Sequence, residues 1–215
     1  HQSKAQEQWQ IAFNGLKIQL KLTKFKHIGI FPEQEINWRY IQDNLNPRGK
    51  FLNLFAYTGV ASIVASKVGA KVTHVDSIKQ IVKWASENAE LNSLTDISWV
   101  VEDALKFARK ENRREKKYDG IIMDPPAFGY GPKGEKWKIE DNIEELIQLG
   151  VSLLEPGGFF ILNTYSPKLP IEKLTEIAED YLLDGQIEIC ELVSKSTSGK
   201  SLTRGNLLRF VKNPI

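Results

Sequence analysis

From Lys50 onward the chain alternates short apolar runs with longer amphipathic stretches. Strands are predicted at 51–56, 71–75, 97–101, 118–123, 158–163, 186–193 and 206–212. Helices are predicted between them at 59–68, 78–92, 103–113, 141–154 and 170–183. The run Phe51-Leu-Asn-Leu-Phe-Ala56 suits a strand covered on both faces, as in a parallel sheet. Such alternation gives an open, doubly wound α/β sheet, whose ligands sit beyond the carboxyl ends of the strands. The last two strands have no helix between them. Ser194 to Gly205, rich in Ser, Thr, Gly and Lys, reads as the long loop of an antiparallel hairpin.

Residues 1–46 form a different unit, an extension ahead of a main domain at 47–215. Trp9–Phe13 and Leu16–Leu22 flank Asn14-Gly15, the favoured two-residue hairpin turn because both positions need positive φ. Leu16, Ile18, Leu20 and Leu22 alternate with polar residues, which predicts a strand with one wet face. A turn-rich loop, His27 to Gln34, precedes a helix expected at about 36–45, and Asn46-Pro47-Arg48-Gly49 breaks the chain.

Composition excludes several classes. The longest apolar run falls short of a bilayer span. His1 to Gln10 is polar and does not read as a signal peptide, and a start at His1 is expected to lack upstream sequence. A single cysteine, Cys190, precludes an intrachain disulfide and suits a reducing cytoplasm. The three histidines lack metal-ligand spacing, so no metal is expected. A net charge of +2 does not by itself signal nucleic acid. The basic run Arg109, Lys110, Arg113, Arg114, Lys116, Lys117 reads as a solvated helix end and loop.

The chemistry-bearing residues fall at strand ends. Asn53-Leu-Phe55-Ala-Tyr57-Thr58-Gly59 leads from the first main strand into a helix, where free N–H groups hold polar or anionic groups. A dinucleotide fingerprint needs three close glycines, and only Gly59 is present, which argues against NAD. Asp76, followed by Ser77, ends the second strand and is placed to accept ribose hydroxyls or to cap the next helix. Asp103, followed by Ala104, ends the third and is placed to accept an adenine amine or, equally, to cap its helix. Asp124-Pro125-Pro126-Ala127-Phe128 ends the fourth. Its prolines fix φ and donate no hydrogen bonds, leaving an acceptor-rich rim with an aromatic ring beside it. A planar amine suits that rim, with Phe128 stacked on its ring. Gly129 to Lys138 adds glycines, Tyr130, Trp137, Lys133, Lys136 and Lys138, a positive and stackable loop that either grips a nucleotide or is merely exposed.

These four motifs resemble motifs I to IV of class I S-adenosylmethionine-dependent methyltransferases. More closely they resemble the ribosomal RNA large-subunit family that methylates cytosine or guanine. The resemblance covers Gly29 to Ser166, with Gly29-Ile-Phe31-Pro-Glu-Gln34 as the segment packing over the cofactor. It implies a Rossmann-like seven-stranded sheet with an antiparallel last strand, in agreement with the periodicity. It implies that Asn53, Phe55, Tyr57, Thr58 and Gly59 surround the methionyl part of the cofactor, with Asp76 at the ribose and Asp103 at the adenine amine. Asp124, Pro125, Pro126 and Phe128 become the catalytic set. Lys133, Trp137, Tyr165 and Ser166 become candidate substrate contacts.

One departure sharpens the expectation. Family members acting on carbon-5 of cytosine carry a cysteine nucleophile after the fifth strand. Here that place reads Asn163-Thr164-Tyr165-Ser166, and Cys190 lies within a strand. The expectation is therefore a cytoplasmic enzyme that methylates an RNA base, on nitrogen rather than carbon-5. The alternatives are a small-molecule or protein methyltransferase, or a cofactor-binding module without catalysis.

Overall fold

The computed structural model describes residues 7–23, 27–131, 134–195 and 198–214. Strands β1 (Gln8–Phe13) and β2 (Leu16–Lys21) pair antiparallel, and the Asn14-Gly15 turn between them has φ of 44° and 78°, as expected. A 3-10 turn, Pro32–Gln34, leads into α1 (Glu35–Asn44). Then β3 (Lys50–Leu54), α2 (Val60–Val68), β4 (Lys71–Asp76), α3 (Lys79–Glu90), β5 (Ile97–Val101), α4 (Ala104–Arg113) and β6 (Tyr118–Met123) alternate. A small hairpin, β7 (Phe128–Tyr130) with β8 (Lys136–Lys138), comes next. The chain continues as α5 (Ile143–Ser152), β9 (Leu154–Thr164), α6 (Ile171–Tyr181), β10 (Gly185–Lys195) and β11 (Ser201–Lys212).

Among the described residues the main sheet has seven strands in the order β10-β11-β9-β6-β3-β4-β5. β3 pairs parallel with β4 on one side and β6 on the other, and β11 runs antiparallel to both of its neighbours. The expected architecture is therefore present. The order reverses beside β3: the chain winds outward to β5, then returns to lay β6 on the opposite edge of β3. A crevice opens at such a switch point beyond the carboxyl ends of the strands. This is what brings the loop after β3 next to Asp124.

The side-chain period of two divides the sheet into two cores. Leu52, Leu54, Ile121, Met123 and Phe160 face α4, α5 and α6. Phe51, Ile122, Phe159 and Ile161 face α1, α2 and the first hairpin. Leu16, Ile18, Leu20, Trp38 and Ile41 belong to this second core, which is continuous across the turn at residues 46–49. Polar contacts reinforce the join. Trp84 Nε1 of α3 donates to Gln19 O at 2.9 Å, and Asn88 Oδ1 accepts from Gln19 N at 2.8 Å.

The structure differs from expectation in two loops. Residues 129–138 contain the β7–β8 hairpin, whose three-residue strands are too short for an alternation signal. β10 and β11 run on to Lys195 and back from Ser201, although Ser194 to Gly205 reads as a long loop; this stretch of β11 is exposed on both faces, so no hydrophobic pattern marks it. Lys133 lies outside the described residues, as does the Lys195 side chain. The basic run behaves as a solvated helix face: Arg109 pairs with Glu145, Lys110 with Glu102 and Arg114 with Glu111.

Candidate active site

The site is built first from a backbone bend. Between β3 and α2, Phe55, Tyr57 and Gly59 take φ of 56°, 48° and 86°. Left-handed backbone at two non-glycine residues costs about 1 kcal/mol or more each and persists only where the surroundings impose it. Here they do. Ala56 N–H donates to Val75 O at 3.1 Å, and Tyr57 N–H to Asp76 Oδ2 at 3.0 Å. Thr58 Oγ1 donates to Gly29 O at 2.6 Å, and Asn88 Nδ2 to Thr58 O at 3.2 Å. Gly59 is required as well as permitted, because a Cβ there would lie 2.9 Å from Ala85 Cβ.

Beneath the bend runs a buried polar chain. Asn53 Nδ2 donates to Ser62 Oγ at 2.9 Å, and Ser62 Oγ lies 3.0 Å from His74 Nδ1. Burial drives the His74 pKa down to about 3. Its Nε2 is buried without a partner, and Trp99 packs on the ring at 4.8 Å.

An open pocket lies over this floor. Phe31, Gln34, Asn53, Phe55, Tyr57, Thr58, Gly59 and Asp124, all expected at the cofactor, line it together with Trp38 and Ile122. Phe31 packs on Tyr57 at 5.3 Å, which sets the 29–34 segment against the bend. The lining carries acceptor oxygens and aromatic rings, and no Lys or Arg. That set suits a ligand with a cationic centre, and the residues fit S-adenosylmethionine.

Asp76 sits behind the bend, with Oδ2 accepting from Tyr57 N–H and Oδ1 from Ile78 N–H at 2.9 Å. Burial raises its pKa, and these N–H groups pull it back. Ser77, Asp103 and Ala104 follow at the ends of β4 and β5, outside the pocket lining. Asp103 Oδ1 caps α4 by accepting from Lys106 N–H at 2.8 Å.

Asp124 follows β6 at the pocket's edge. Tyr165 Oη donates to its Oδ1 at 2.7 Å. Burial pushes the carboxyl up to about 6, with hydrogen bonding from the Tyr165 hydroxyl and the Asn163 side chain pulling down and Glu33 adding repulsion. The same carboxylate, with burial, drives the Tyr165 phenol far above its ordinary value. The Pro126 carbonyl accepts from Trp137 Nε1 at 2.6 Å, and Trp137 packs on Phe55 at 5.2 Å. Trp137 thereby clamps the turn, and one of the two prolyl carbonyls is engaged within the protein. Phe128 projects outward, 52% exposed, with Tyr130 65% exposed and edge-on at 5.2 Å. Ser166 turns away from the pocket to Glu140.

Sequence reasoning missed a second layer. Asn37 on α1 and Arg209 on β11 are buried, as is Asn163 near the end of β9. Asn37 Nδ2 donates to Gln34 Oε1 at 2.8 Å and Asn163 Oδ1 at 3.3 Å. Arg209 Nη2 donates to Asn37 Oδ1 at 3.1 Å. The available signal was helical spacing: Asn37 lies on the face of Trp38 and Ile41, where an apolar residue belongs. Among the described residues, no cluster of three or more His, Cys, Asp or Glu is placed to hold a metal ion, and no helix is long and apolar enough to cross a membrane.

A family model described as S-adenosylmethionine-dependent methyltransferase matches residues 2–183. A ribosomal RNA large subunit methyltransferase K/L from Pseudoalteromonas translucida is 33% identical over 153 residues, which are 69% of this chain and 21% of that relative. The chain therefore spans about a fifth of that relative's length. The crystal structure of a SAM-dependent methyltransferase from Agrobacterium tumefaciens superposes with a TM-score of 0.89 at 33% identity, covering 98% of this chain and 72% of that one. A methyltransferase structure from Streptococcus mutans aligns with a TM-score of 0.82 at 22% identity, covering 98% and 57% of the two chains.

Proposed function

The chain belongs to the S-adenosylmethionine-dependent methyltransferase family, and from that premise we propose that it methylates a nitrogen on a base of RNA, ribosomal RNA first. The observation that carries this is Asp124. It lines the pocket and is followed in the chain, four and six residues on, by an exposed aromatic pair, Phe128 and Tyr130. S-adenosylmethionine, when bound, supplies an electrophilic methyl group on a sulfonium. Phe31, Gln34, Asn53, Phe55, Tyr57, Thr58 and Gly59 hold it, Asp76 takes the ribose, and Asp103 and Ala104 flank the adenine.

The chain's own part is alignment. Asp124 accepts a hydrogen bond from the target amine, which turns the nitrogen lone pair toward the methyl group, and takes up the proton the amine sheds. In-line transfer needs little more than such positioning. Phe128 and Tyr130 stack on the base and its neighbour. Lys136 and Lys138 flank them on β8 and reach the phosphates. Nitrogen is favoured because a carbon-5 route needs a thiolate. Cys190 stands in the middle of β10, two strands away from Asn163 in the ladder, and burial raises its thiol pKa. Work on ribosomal RNA places the protein in the cytoplasm.

The test is transfer of labelled methyl from S-adenosylmethionine into an in vitro transcribed large-subunit ribosomal RNA, followed by nucleoside mass spectrometry. A single N-methylated nucleoside is expected. Label found in a 5-methylpyrimidine overturns the nitrogen assignment. Label entering protein or small metabolites, and not RNA, overturns the substrate class.

A further inference from the structure

A line of buried polar side chains runs from the last strand to Asp124. The Arg209 guanidinium lies 4.5 Å from the Tyr40 ring and pairs with Glu188 at 3.3 Å. From it the bonds pass to Asn37 Oδ1, then from Asn37 Nδ2 to Gln34 Oε1. Gln34 Nε2 donates to Tyr165 Oη at 2.8 Å, and Tyr165 Oη donates to Asp124 Oδ1 at 2.7 Å. Side-chain amides are ambiguous in isolation, since oxygen and nitrogen can exchange places. Here each is decided by the one before it. A guanidinium only donates, so Asn37 must present its oxygen to Arg209 and its nitrogen to Gln34. Gln34 must then present its oxygen to Asn37 and its nitrogen to Tyr165. The phenol oxygen, already accepting, has one proton left to give, and Asp124 is the acceptor.

Building on the function proposed above, we propose that Tyr165 is a positioning residue for Asp124, and that Arg209 sets the direction of the whole line through Asn37 and Gln34. The line commits Oδ1 to Tyr165. It also opposes protonation of a carboxyl that burial would otherwise neutralise. The titratable groups acting on Asp124 are Tyr165 and Glu33, of which only Glu33 repels. Without Arg209, Asn37 keeps only its long Nδ2 bond to Asn163 Oδ1 at 3.3 Å to orient it, and the two amides can turn over. Gln34 then offers its oxygen to Tyr165, takes the phenol proton, and Asp124 loses its donor.

The experiment reads Asp124 directly, with neither cofactor nor RNA. Aspartate is labelled with ¹³C at the carboxyl carbon, and the Asp124 signal, assigned by its loss in Asp124→Asn, is followed against pH. The wild type is expected to titrate near 6. Tyr165→Phe raises the midpoint by about one unit, tenfold in the protonation equilibrium. Arg209→Met raises it by a smaller amount, and Arg209→Lys, still a donor-only cation, stays with the wild type. Asn37→Leu changes no charge and is expected to follow Arg209→Met; it also serves if Arg209→Met does not fold. Wild-type titration in Tyr165→Phe overturns the positioning role. A shift in Tyr165→Phe with wild-type titration in Asn37→Leu overturns the line back to Arg209. If the RNA reading fails, these titrations are untouched, so the two failures are distinguishable. With ribosomal RNA as substrate, the acid limb of kcat/KM moves by the same amount in each variant, while affinity for S-adenosylmethionine in Tyr165→Phe changes less than about threefold, the limit of one weak contact.

Discussion

Asp76 and Asp124 end two strands of one sheet, both are pushed toward the neutral form by burial, and they are wired differently. Asp76 spends both oxygens on backbone N–H groups, Tyr57 N and Ile78 N, that hold the β3–α2 bend and start the next turn. Asp124 spends one oxygen on a side-chain hydroxyl whose proton is aimed by a line of buried amides. A carboxylate held by backbone fixes a shape. One held by a side chain keeps an oxygen and a titration available for chemistry. On the function proposed above, the β4 end belongs to the cofactor's mould and the β6 end is the working group.

The strongest break of this contrast is removal of each acid in turn. Asp124→Ala is expected to cut methyl transfer by about 10²–10³-fold, as for loss of a preorganised hydrogen-bonding group at a reacting centre. Calorimetry should show S-adenosylmethionine affinity changed less than about threefold. Asp76→Ala should do the reverse. Affinity falls by about 10–100-fold, the worth of a charged hydrogen bond together with a loosened bend. Saturating cofactor then restores much of the rate. If Asp76→Ala costs only turnover, or Asp124→Ala only affinity, the division of roles between the two strand ends is wrong.

The same contrast explains what was legible in the sequence. Asp76, Gly59 and Asp124 stand at the ends of apolar runs, and strand–helix alternation alone places such ends along one crevice. Phe31 and Gln34 required the resemblance, because no periodicity says where a loop before the sheet will fold. Asn37, Asn163 and Arg209 come from α1, the end of β9 and β11, three places whose sequence separation hides their meeting. A buried polar residue at an apolar helical position marks a partner without naming it. The β7–β8 hairpin was hidden for another reason: its strands are three residues long, too short for an alternation signal, and Trp137 ties it inward to Phe55 and the Pro126 carbonyl.

Acid titration tests the contrast at intermediate size. Asp124 titrates near 6 when folded and near 4 when unfolded, so the folded protein pays for an ionised carboxylate above pH 6. That cost, on the order of 2 kcal/mol after allowance for partial exposure, is relieved as pH falls from about 6 to 4. His74 acts in the opposite sense. Its folded pKa of about 3 lies below the unfolded 6.5, so its contribution is complete above 6.5 and is lost progressively as pH falls toward 3. Between pH 6 and 4 the two oppose each other. Asp124→Asn is therefore expected to be more stable than wild type at pH 7 and to lose that advantage by pH 4, measured by denaturant unfolding at fixed ionic strength. A variant gain that is constant with pH would place the carboxyl in water. Transfer by the wild type should fall below about pH 6, since the acceptor oxygen needs the ionised form.

The smallest expected effect probes the outer side of the β6 end. Phe128 and Tyr130 are exposed on a three-residue strand, although large apolar rings ordinarily gain about 1.5–3 kcal/mol by burial. Trp137 of the paired strand is instead tied inward to Phe55 and Pro126. The hairpin thus has one anchored ring and two presented ones, and the presented pair stands beside Asp124 in the chain. Stacking on a base is worth about 1–3 kcal/mol, so Phe128→Ala should raise KM for RNA by about tenfold, and Tyr130→Ala by less because it stands farther from Asp124. Neither should move S-adenosylmethionine affinity or the Asp124 titration, since neither ring lines the pocket. Trp137→Ala supplies the contrast within the hairpin: losing the clamp should loosen the Asp124–Phe128 turn and lower kcat more than it raises KM. If Phe128→Ala lowers kcat alone while Trp137→Ala raises KM alone, the rings have been assigned to the wrong sides of the hairpin.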